Sequence, residues 1–119
     1  AGINILVAED DESTRALMER SFRDTECTIK FACDGEEVLE EMKKNKYDLV
    51  LMDLRMPRID GFEATKIIRE EIDKDIPILA LTAHKMTFIE DDCKRAGMNG
   101  YISKPVDIDK LKRAIKDYI

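Results

Sequence analysis

The sequence lacks the features that would direct it to a membrane, to secretion or to nucleic acid. No apolar run approaches the length of a membrane-spanning helix, and the start carries no series typical of a signal peptide. Basic residues number only 20 against 26 acidic ones, which gives a formal charge of −6. Because a nucleic acid backbone attracts basic surfaces, we expect no direct contact with nucleic acid. We also expect a cytoplasmic protein without membrane contact.

The sequence has few cysteines, and their spacing fits neither a disulfide framework nor a metal-binding or redox motif. The three cysteines, at positions 27, 33 and 93, are odd in number and form no C-x-x-C pair. Passive thiols in a reducing compartment are the more frequent explanation of such a pattern, so we assign them no role. Linkers, repeats and low-complexity stretches are missing too. We therefore interpret residues 1–119 as one domain, a length that suffices for one hydrophobic core.

Short apolar runs alternate with amphipathic segments along the chain. Continuous apolar runs are typical of strands buried on both faces of a parallel sheet. The candidate strands are Ile3–Ala8, Cys27–Ala32, Tyr47–Met52, Ile76–Leu81 and Gly100–Ile102. Helical spacing predicts five helices, over Glu12–Arg23, Glu36–Lys44, Phe62–Glu71 and Thr87–Ala96, and from Ile108 to the end. This alternation predicts an α/β fold with one five-stranded parallel sheet.

Chemically useful side chains occupy the carboxyl ends of the predicted strands, which is where sheets of this kind bind ligands. In chain order they are Glu9, Asp10 and Asp11, then Asp53, Thr82 and Lys104. If the first and third strands are neighbours, Glu9, Asp10 and Asp53 meet in one pocket. Carboxylates that close repel one another unless a cation joins them, and Mg²⁺ prefers such oxygen ligands together with a phosphate.

A carboxylate nucleophile, a divalent cation, a lysine and a hydroxyl are the groups that form an aspartyl phosphate. Lys104 offers a compact positive charge for a phosphate oxygen, and Thr82 offers a hydroxyl donor. Each residue alone has a plainer explanation, since an aspartate that closes a strand is often a helix cap or turn residue. The hypothesis of a phosphoryl-accepting site therefore depends on four strand ends that supply complementary groups to one crevice.

Four stretches of the sequence resemble the receiver domains of bacterial two-component response regulators. They are Ile5–Asp11, the D-x-x-M-P-x-x-D-G loop of Asp53–Gly61, Leu81–Ala83, and Ala96–Gly97 with Gly100–Pro105. The resemblance covers essentially the whole chain, and some of its motifs are similar to those of receivers attached to hybrid histidine kinases. It implies a doubly wound, flavodoxin-like sheet with the strand order 2-1-3-4-5 and five helices.

The resemblance also implies how the acidic residues act. Asp53 would accept the phosphoryl group from a phosphohistidine on a histidine kinase or a histidine phosphotransfer domain. Asp10 and Asp53 would bind Mg²⁺ (or Mn²⁺) directly, Glu9 would bind it through a water, and Arg55 through its backbone carbonyl. Glu9 stands where the family more commonly has aspartate. Arg55 and His84 occupy variable positions, and His84 can be interpreted either as a base or as a loop imidazole.

The switch and the partner surface are implied in the same way. Lys104 would contact the phosphoryl group, Thr82 would move to hydrogen-bond with it, and Tyr101 would change rotamer. The fourth helix, fifth strand and last helix would then signal to a partner or output domain. The domain would catalyse its own phosphorylation and dephosphorylation without being an enzyme in the ordinary sense. Helical spacing places Leu17 opposite the core-facing Met18, beside the pocket mouth, so we predict that it contacts the phosphoryl donor.

Three other functions compete with this interpretation. A phosphatase or transferase that forms an aspartyl phosphate needs a second acid two residues after its nucleophile, where this chain has Arg55. A flavin-binding domain would want a phosphate-binding loop after the first strand, and Glu9–Asp11 would repel a phosphate. A receiver-shaped interaction module that takes no phosphate is the third alternative, and the presence of Asp53 and Lys104 together argues against it.

Overall fold

The predicted strands form one parallel sheet. The structure, a computed structural model, describes residues 2–55, 58–82, 87–104 and 106–118, with side chains from 87 to 90 excepted. Its strands are β1 (Ile3–Ala8), β2 (Cys27–Ala32), β3 (Leu49–Asp53), β4 (Ile78–Thr82) and β5 (Gly100–Ser103), in the order β2-β1-β3-β4-β5. Every pairing is parallel, which confirms the α/β class and the strand order.

Helices alternate with the strands. Within the described ranges they are α1 (Glu12–Phe22), α2 (Gly35–Lys44), α3 (Gly61–Ile67), α4 (Thr87–Ala96) and α5 (Ile108–Tyr118). A π-helical turn over Ile68–Ile72 continues α3, and it closes with a bond of 2.7 Å from the Asp73 amide to the Ile68 carbonyl. The sequence predicted one regular helix here. None of the helices in the described part of the chain is long and apolar enough to cross a membrane.

Four helices in the described ranges begin at an aspartate that caps them, namely Asp11 for α1, Asp34 for α2, Asp60 for α3 and Asp107 for α5. Each carboxylate accepts a hydrogen bond from the backbone amide three residues further on. Such a cap contributes about 1 kcal/mol to stability. The caps at Asp11 and Asp60 matter most for the site, because these two helices start directly beside the acidic strand ends.

Two apolar layers cover the sheet. One face carries α1 and α5, which bury Met18, Phe22, Leu111 and Ile115 against Ile5, Val7, Leu49, Leu51, Leu79 and Leu81. The other face carries α2, α3 and α4, which bury Val38, Met42, Ala64 and Cys93 against Leu6, Val50, Met52, Ile78 and Ala80. Full burial of one such large aliphatic side chain contributes about 1.5–3 kcal/mol. The central strand β3 is buried along its whole length.

Both β3 and β4 begin two residues later than their apolar patterns predict, and polar contacts explain the delay. The Asp48 carboxylate, just before β3, accepts a hydrogen bond of 2.8 Å from the Asn4 amide. Before β4, the Asp73 carboxylate accepts a bond of 3.1 Å from the Ile76 amide. Pro77 follows, and it has no amide proton to give to a neighbouring strand. Side chains thus supplement the backbone ladder at these positions, where the Asp48 amide still donates to the Asn4 carbonyl at 2.7 Å and Pro77 still accepts from the Val50 amide at 3.0 Å.

One arginine ties the π-helical turn to the end of α4. Arg69 donates from Nε to the Gly97 carbonyl at 2.9 Å, from Nη2 to Oδ1 of Asn99 at 3.0 Å, and from Nη1 to the Asp73 carbonyl at 3.3 Å. Gly97, which ends α4, has a φ of +105°, a conformation that favours glycine. The C-terminal end of α4 is therefore fixed to the segment that follows α3.

Candidate functional site

Three carboxylates meet beyond the carboxyl ends of β1 and β3. One ligand oxygen from each of Glu9, Asp10 and Asp53 lies within 4.8 Å of the others. Glu9 is completely buried and Asp53 nearly so, whereas Asp10 is exposed. The register of the two strands explains the meeting, because Ala8 pairs with Met52 and the acidic residues follow directly. The sequence-predicted pocket is thus assembled as expected from neighbouring strands.

Lys104 lies between two of these carboxylates. Its Nζ is 2.8 Å from Oε1 of Glu9 and 2.9 Å from Oδ2 of Asp53. The contact with Asp53 is a hydrogen bond, whereas the contact with Glu9 lacks hydrogen-bond angles and is an ion pair. The Lys104 amide also donates to the Thr82 carbonyl at 2.7 Å, which places the lysine where β4 and β5 end. One ammonium group does not neutralise three carboxylates, so the site keeps a negative charge.

The pKa values of Glu9 and Lys104 both depart from their ordinary values. Burial raises the pKa of the Glu9 carboxyl above its ordinary value, nearby Lys104 opposes this rise, and Asp53 adds to it. For Lys104, burial alone would lower the pKa, but Glu9 and Asp53 outweigh burial, so that the pKa of Lys104 is raised. A divalent cation would offset the repulsion among these carboxylates. A set of oxygen donors with surplus negative charge fits Mg²⁺.

The segment after β3 is packed closely against Asp53. The Arg55 amide donates to Oδ1 of Asp53 at 3.0 Å, so that the two carboxylate oxygens face the loop and Lys104 respectively. At the start of α3, a Cβ added to Gly61 would lie 2.5 Å from the Asp53 carbonyl oxygen. Only glycine therefore lets α3 begin this close to the site. The role of the Arg55 carbonyl as a metal ligand stays a prediction.

The other predicted residues lie on β4, β5 and α1. Thr82 is buried at the end of β4. Tyr101 lies on β5 with 43% of its surface exposed, and Leu17 on α1 with 38% exposed. Met18, one residue further along α1, is fully buried, as the helical spacing predicted. The roles of Thr82, Tyr101 and Leu17 stay predictions, and His84 lies outside the described residues.

Sequence reasoning missed one residue that contacts the acidic segment, Arg15. Its Nη1 donates to the backbone carbonyl of Glu9 at 3.1 Å and lies 3.6 Å from Sγ of Cys33. A signal was available in the spacing, because residue 15 lies one helical turn after the cap at Asp11 and can face back towards the strand end. Charged residues on a helix usually lie on its solvated face, so Arg15 was not considered as a contact of the strand end.

The chain matches the family model described as response regulator receiver domain over residues 5–116. It belongs to this family. The osmosensing histidine protein kinase SLN1 of Saccharomyces cerevisiae is 34% identical over 98% of this chain, which covers 10% of that protein. The receiver domain spans between 5% and 19% of the length of four curated relatives that it matches.

Solved structures of receiver domains are similar as well. One is the receiver domain of the sensor histidine kinase PA1611 from Pseudomonas aeruginosa, which was solved with a magnesium ion coordinated in its active site cleft. It is 34% identical to this chain, with a TM-score of 0.89 over 99% of this chain and 98% of that one. A co-crystal structure of the Saccharomyces cerevisiae phosphotransfer protein Ypd1 with the receiver domain of Ssk1 gives a TM-score of 0.90 and 28% identity, over 98% of this chain and 88% of that one.

The family match separates the alternatives raised by the sequence. This chain is a receiver domain of phosphorelay signalling, and not a flavin-binding domain or a phosphatase that merely shares the sheet. Receiver domains in general are not enzymes in the ordinary sense.

Proposed function

We propose that this receiver domain accepts a phosphoryl group on Asp53 and thereby switches a signalling surface. The observation that carries the proposal is the convergence of Glu9, Asp10 and Asp53 at one edge of the sheet, with Lys104 in contact with Glu9 and Asp53. Asp53 ends the strand that is buried throughout, and the Arg55 amide and Lys104 hold its two oxygens in a fixed orientation. A carboxylate held in this way is pre-oriented for nucleophilic attack.

The proposed metal is Mg²⁺ (or Mn²⁺), held directly by Asp10 and Asp53, through a water by Glu9, and by the Arg55 backbone carbonyl. Both oxygens of Glu9 already have partners, since Oε2 accepts from the Asp11 amide at 3.2 Å and Oε1 pairs with Lys104. These contacts support an indirect rather than a direct role for Glu9. When bound, the cation offsets the negative charge that develops on the phosphoryl oxygens.

In the proposed reaction, a carboxylate oxygen of Asp53 attacks the phosphorus of a phosphohistidine. The phosphorus–nitrogen bond breaks, the imidazole leaves with the electron pair and takes up a proton from water, and an acyl phosphate remains on Asp53. Lys104, 2.9 Å from the nucleophile, then pairs with a phosphoryl oxygen, and Thr82 donates its hydroxyl. Dephosphorylation is the attack of water on the same phosphorus, with the Asp53 carboxylate leaving and inorganic phosphate released. The domain would thus catalyse both of its own steps.

The proposed donor is a histidine kinase or a histidine phosphotransfer domain. Leu17 is exposed on α1, and the cap of this helix, Asp11, directly follows the acidic pair. A donor histidine that reaches Asp53 would therefore meet α1. The complex of Ypd1 with the related Ssk1 receiver supports this class of partner. A cytoplasmic location and the extent of the domain, residues 1–119, belong to the same proposal.

The proposed output surface consists of α4, β5 and α5. Tyr101 pairs in register with Ala80, two residues before Thr82, so the switch threonine and the exposed tyrosine lie on neighbouring strands. When Thr82 turns towards the phosphoryl group, Tyr101 would change rotamer and alter this surface. The phosphoryl group favours the switched state only through contacts that differ between the two states. Its downstream partner or output domain is not specified by the chain.

Labelling with acetyl phosphate tests the proposal. In the presence of Mg²⁺ the protein should gain one phosphoryl group that hydroxylamine removes. The Leu17→Asp variant should label equally well with acetyl phosphate but should accept phosphoryl more slowly from a phosphorylated histidine phosphotransfer protein such as Ypd1. Absence of labelling in Mg²⁺ would contradict the proposal and favour an interaction module that takes no phosphate.

A further inference from the structure

We propose that Arg15 is a positioning residue for the metal site, and that it acts through the backbone that joins Glu9 to Asp10. The inference rests on the proposed function and concerns how the exposed ligand Asp10 is held. Arg15 contacts neither the phosphoryl acceptor nor the lysine in any bond described above. Its contact is with the carbonyl oxygen of Glu9, at 3.1 Å.

The backbone around Asp10 is held at three points. The Glu9 amide donates to the Ala32 carbonyl at 3.0 Å, and the Asp11 amide donates to the Glu9 carboxylate at 3.2 Å. Between these two lies the peptide group that links Glu9 to Asp10, and its carbonyl is beyond the paired part of β1. Arg15 supplies the donor for that carbonyl. Because Asp10 is exposed, the backbone rather than packing determines where its carboxylate points.

Arg15 is well placed to hold this peptide. It lies in the first part of α1, where the Asp11 carboxylate caps the helix by accepting from the Thr14 amide at 2.9 Å. Its guanidinium also lies 3.6 Å from the Cys33 thiol, in the loop after β2. The Arg15 side chain thus joins α1 to the segments that follow β1 and β2. Rotation of the peptide between Glu9 and Asp10 would break the contact, so the contact restricts the direction of the Asp10 carboxylate.

An effect of charge alone would change the Mg²⁺ affinity in the opposite direction to an effect of positioning, so the direction of the change distinguishes the two. A guanidinium near three carboxylates reduces their attraction for a divalent cation. If charge were its only effect, removal of Arg15 would tighten Mg²⁺ binding. If Arg15 positions a ligand, its removal weakens binding, since loss of a group that orients a metal ligand costs about 10–100-fold in metal affinity.

The test compares Arg15→Ala, Arg15→Lys and a control, Arg20→Ala, which removes the same charge from the last turn of α1. Mg²⁺ affinity is measured by calorimetry, and labelling of Asp53 by acetyl phosphate is measured at limiting and at saturating Mg²⁺. Arg15→Ala should raise the Kd for Mg²⁺ about ten-fold, at the low end for such groups. Its labelling rate should return to within about two-fold of wild type at saturating Mg²⁺, as for a pure loss of binding.

Arg15→Lys keeps a donor and the charge, and should lie closer to wild type than Arg15→Ala does. Arg20→Ala should bind Mg²⁺ as wild type does. Unchanged or tighter binding in Arg15→Ala, with normal labelling of the wild type, would overturn the inference and leave the proposed function standing. So would a slow labelling rate that saturating Mg²⁺ does not restore, because that result indicates a loosened helix. A wild type that does not label at all overturns the proposed function instead.

Discussion

The two edges of the sheet use polar side chains in opposite ways. At the amino edge, where the strands begin, each polar side chain described above meets a donor that the ladder leaves without a partner. Asp48 accepts from the Asn4 amide at 2.8 Å, and Asn99 accepts from the Ile78 amide at 2.9 Å. At the carboxyl edge, Glu9, Asp10 and Asp53 lie close together, one lysine contacts two of them, and the acceptors outnumber the donors.

This difference separates stability from function within one sheet. At the amino edge, each backbone amide named above already has a hydrogen-bond acceptor, and these bonds hold the strands in place. The carboxyl edge keeps an excess of negative charge that a divalent cation would offset. Burial of unneutralised carboxylates costs free energy, so the well-packed remainder of the sheet must offset that cost.

The largest expected effect compares the two ends of β3. Asp53→Asn should abolish labelling by acetyl phosphate, because the amide is not a nucleophile for phosphorus. Asp48→Asn, at the other end of the same strand, should label like wild type. Mass spectrometry of the intact protein measures both. Equal labelling of Asp53→Asn and wild type would refute the assignment of the acceptor, and equal loss in both variants would indicate damage to β3.

Metal affinity should separate the two members of the acidic pair. Asp10→Ala removes the exposed residue that we propose as a direct ligand, and should weaken Mg²⁺ binding on the order of 30-fold, about 2 kcal/mol. Glu9→Ala should weaken it less, because both Glu9 oxygens are engaged by Asp11 and Lys104. Calorimetric titration gives the order. The reverse order would mean that Glu9, and not Asp10, is the direct ligand.

The free energy of unfolding should fall on substitution at the amino edge and not at the carboxyl edge. Asn99→Ala removes the acceptor of the buried Ile78 amide and of Arg69, and should lower the free energy of unfolding by about 1–3 kcal/mol. Asp53→Asn removes one of three crowded carboxylates and should leave stability unchanged or raise it without divalent cations. Urea unfolding checks both, with the surface variant Asn45→Ala as control. Equal destabilisation at the two edges would remove the distinction between them.

The smallest effect concerns a satisfied pair near the amino edge. Burial and a hydrogen bond of 2.6 Å to Glu41 raise the pKa of Tyr47 from 10.0 to about 12. The pair contributes fully below pH 10, and its contribution falls as pH rises through about 12, because tyrosine in the unfolded chain ionises first. A pH titration of tyrosinate absorbance measures this pKa, when the curve of the Tyr47→Phe variant is subtracted from that of the wild type. A value near 10 would mean that the bond is not formed in solution.

The sequence predicted the fold well where apolar pattern and burial agree. β1 and β2 have the predicted bounds, and the gathering of Asp53 with Glu9 and Asp10 follows from strands that lie next to each other. The π-helical turn at Ile68–Ile72 could not be predicted, because an extra residue in one turn barely alters the apolar pattern. Arg15 was missed because its partner is a backbone carbonyl, which every residue carries, so that the spacing after Asp11 was the only available signal.

The clamp of Arg69 on Gly97 and Asn99 has a mechanical consequence for α4. A helix fixed at one end moves as a lever and not as a sliding rod. At 1.5 Å per residue the ten residues of α4 measure about 15 Å, so a tilt of about 10° would displace the opposite end by about 2.6 Å while the fixed end stayed in place. That opposite end follows β4 in the chain, at the carboxyl edge of the sheet where Thr82 lies, so the proposed movement of Thr82 would act on the long arm of the lever.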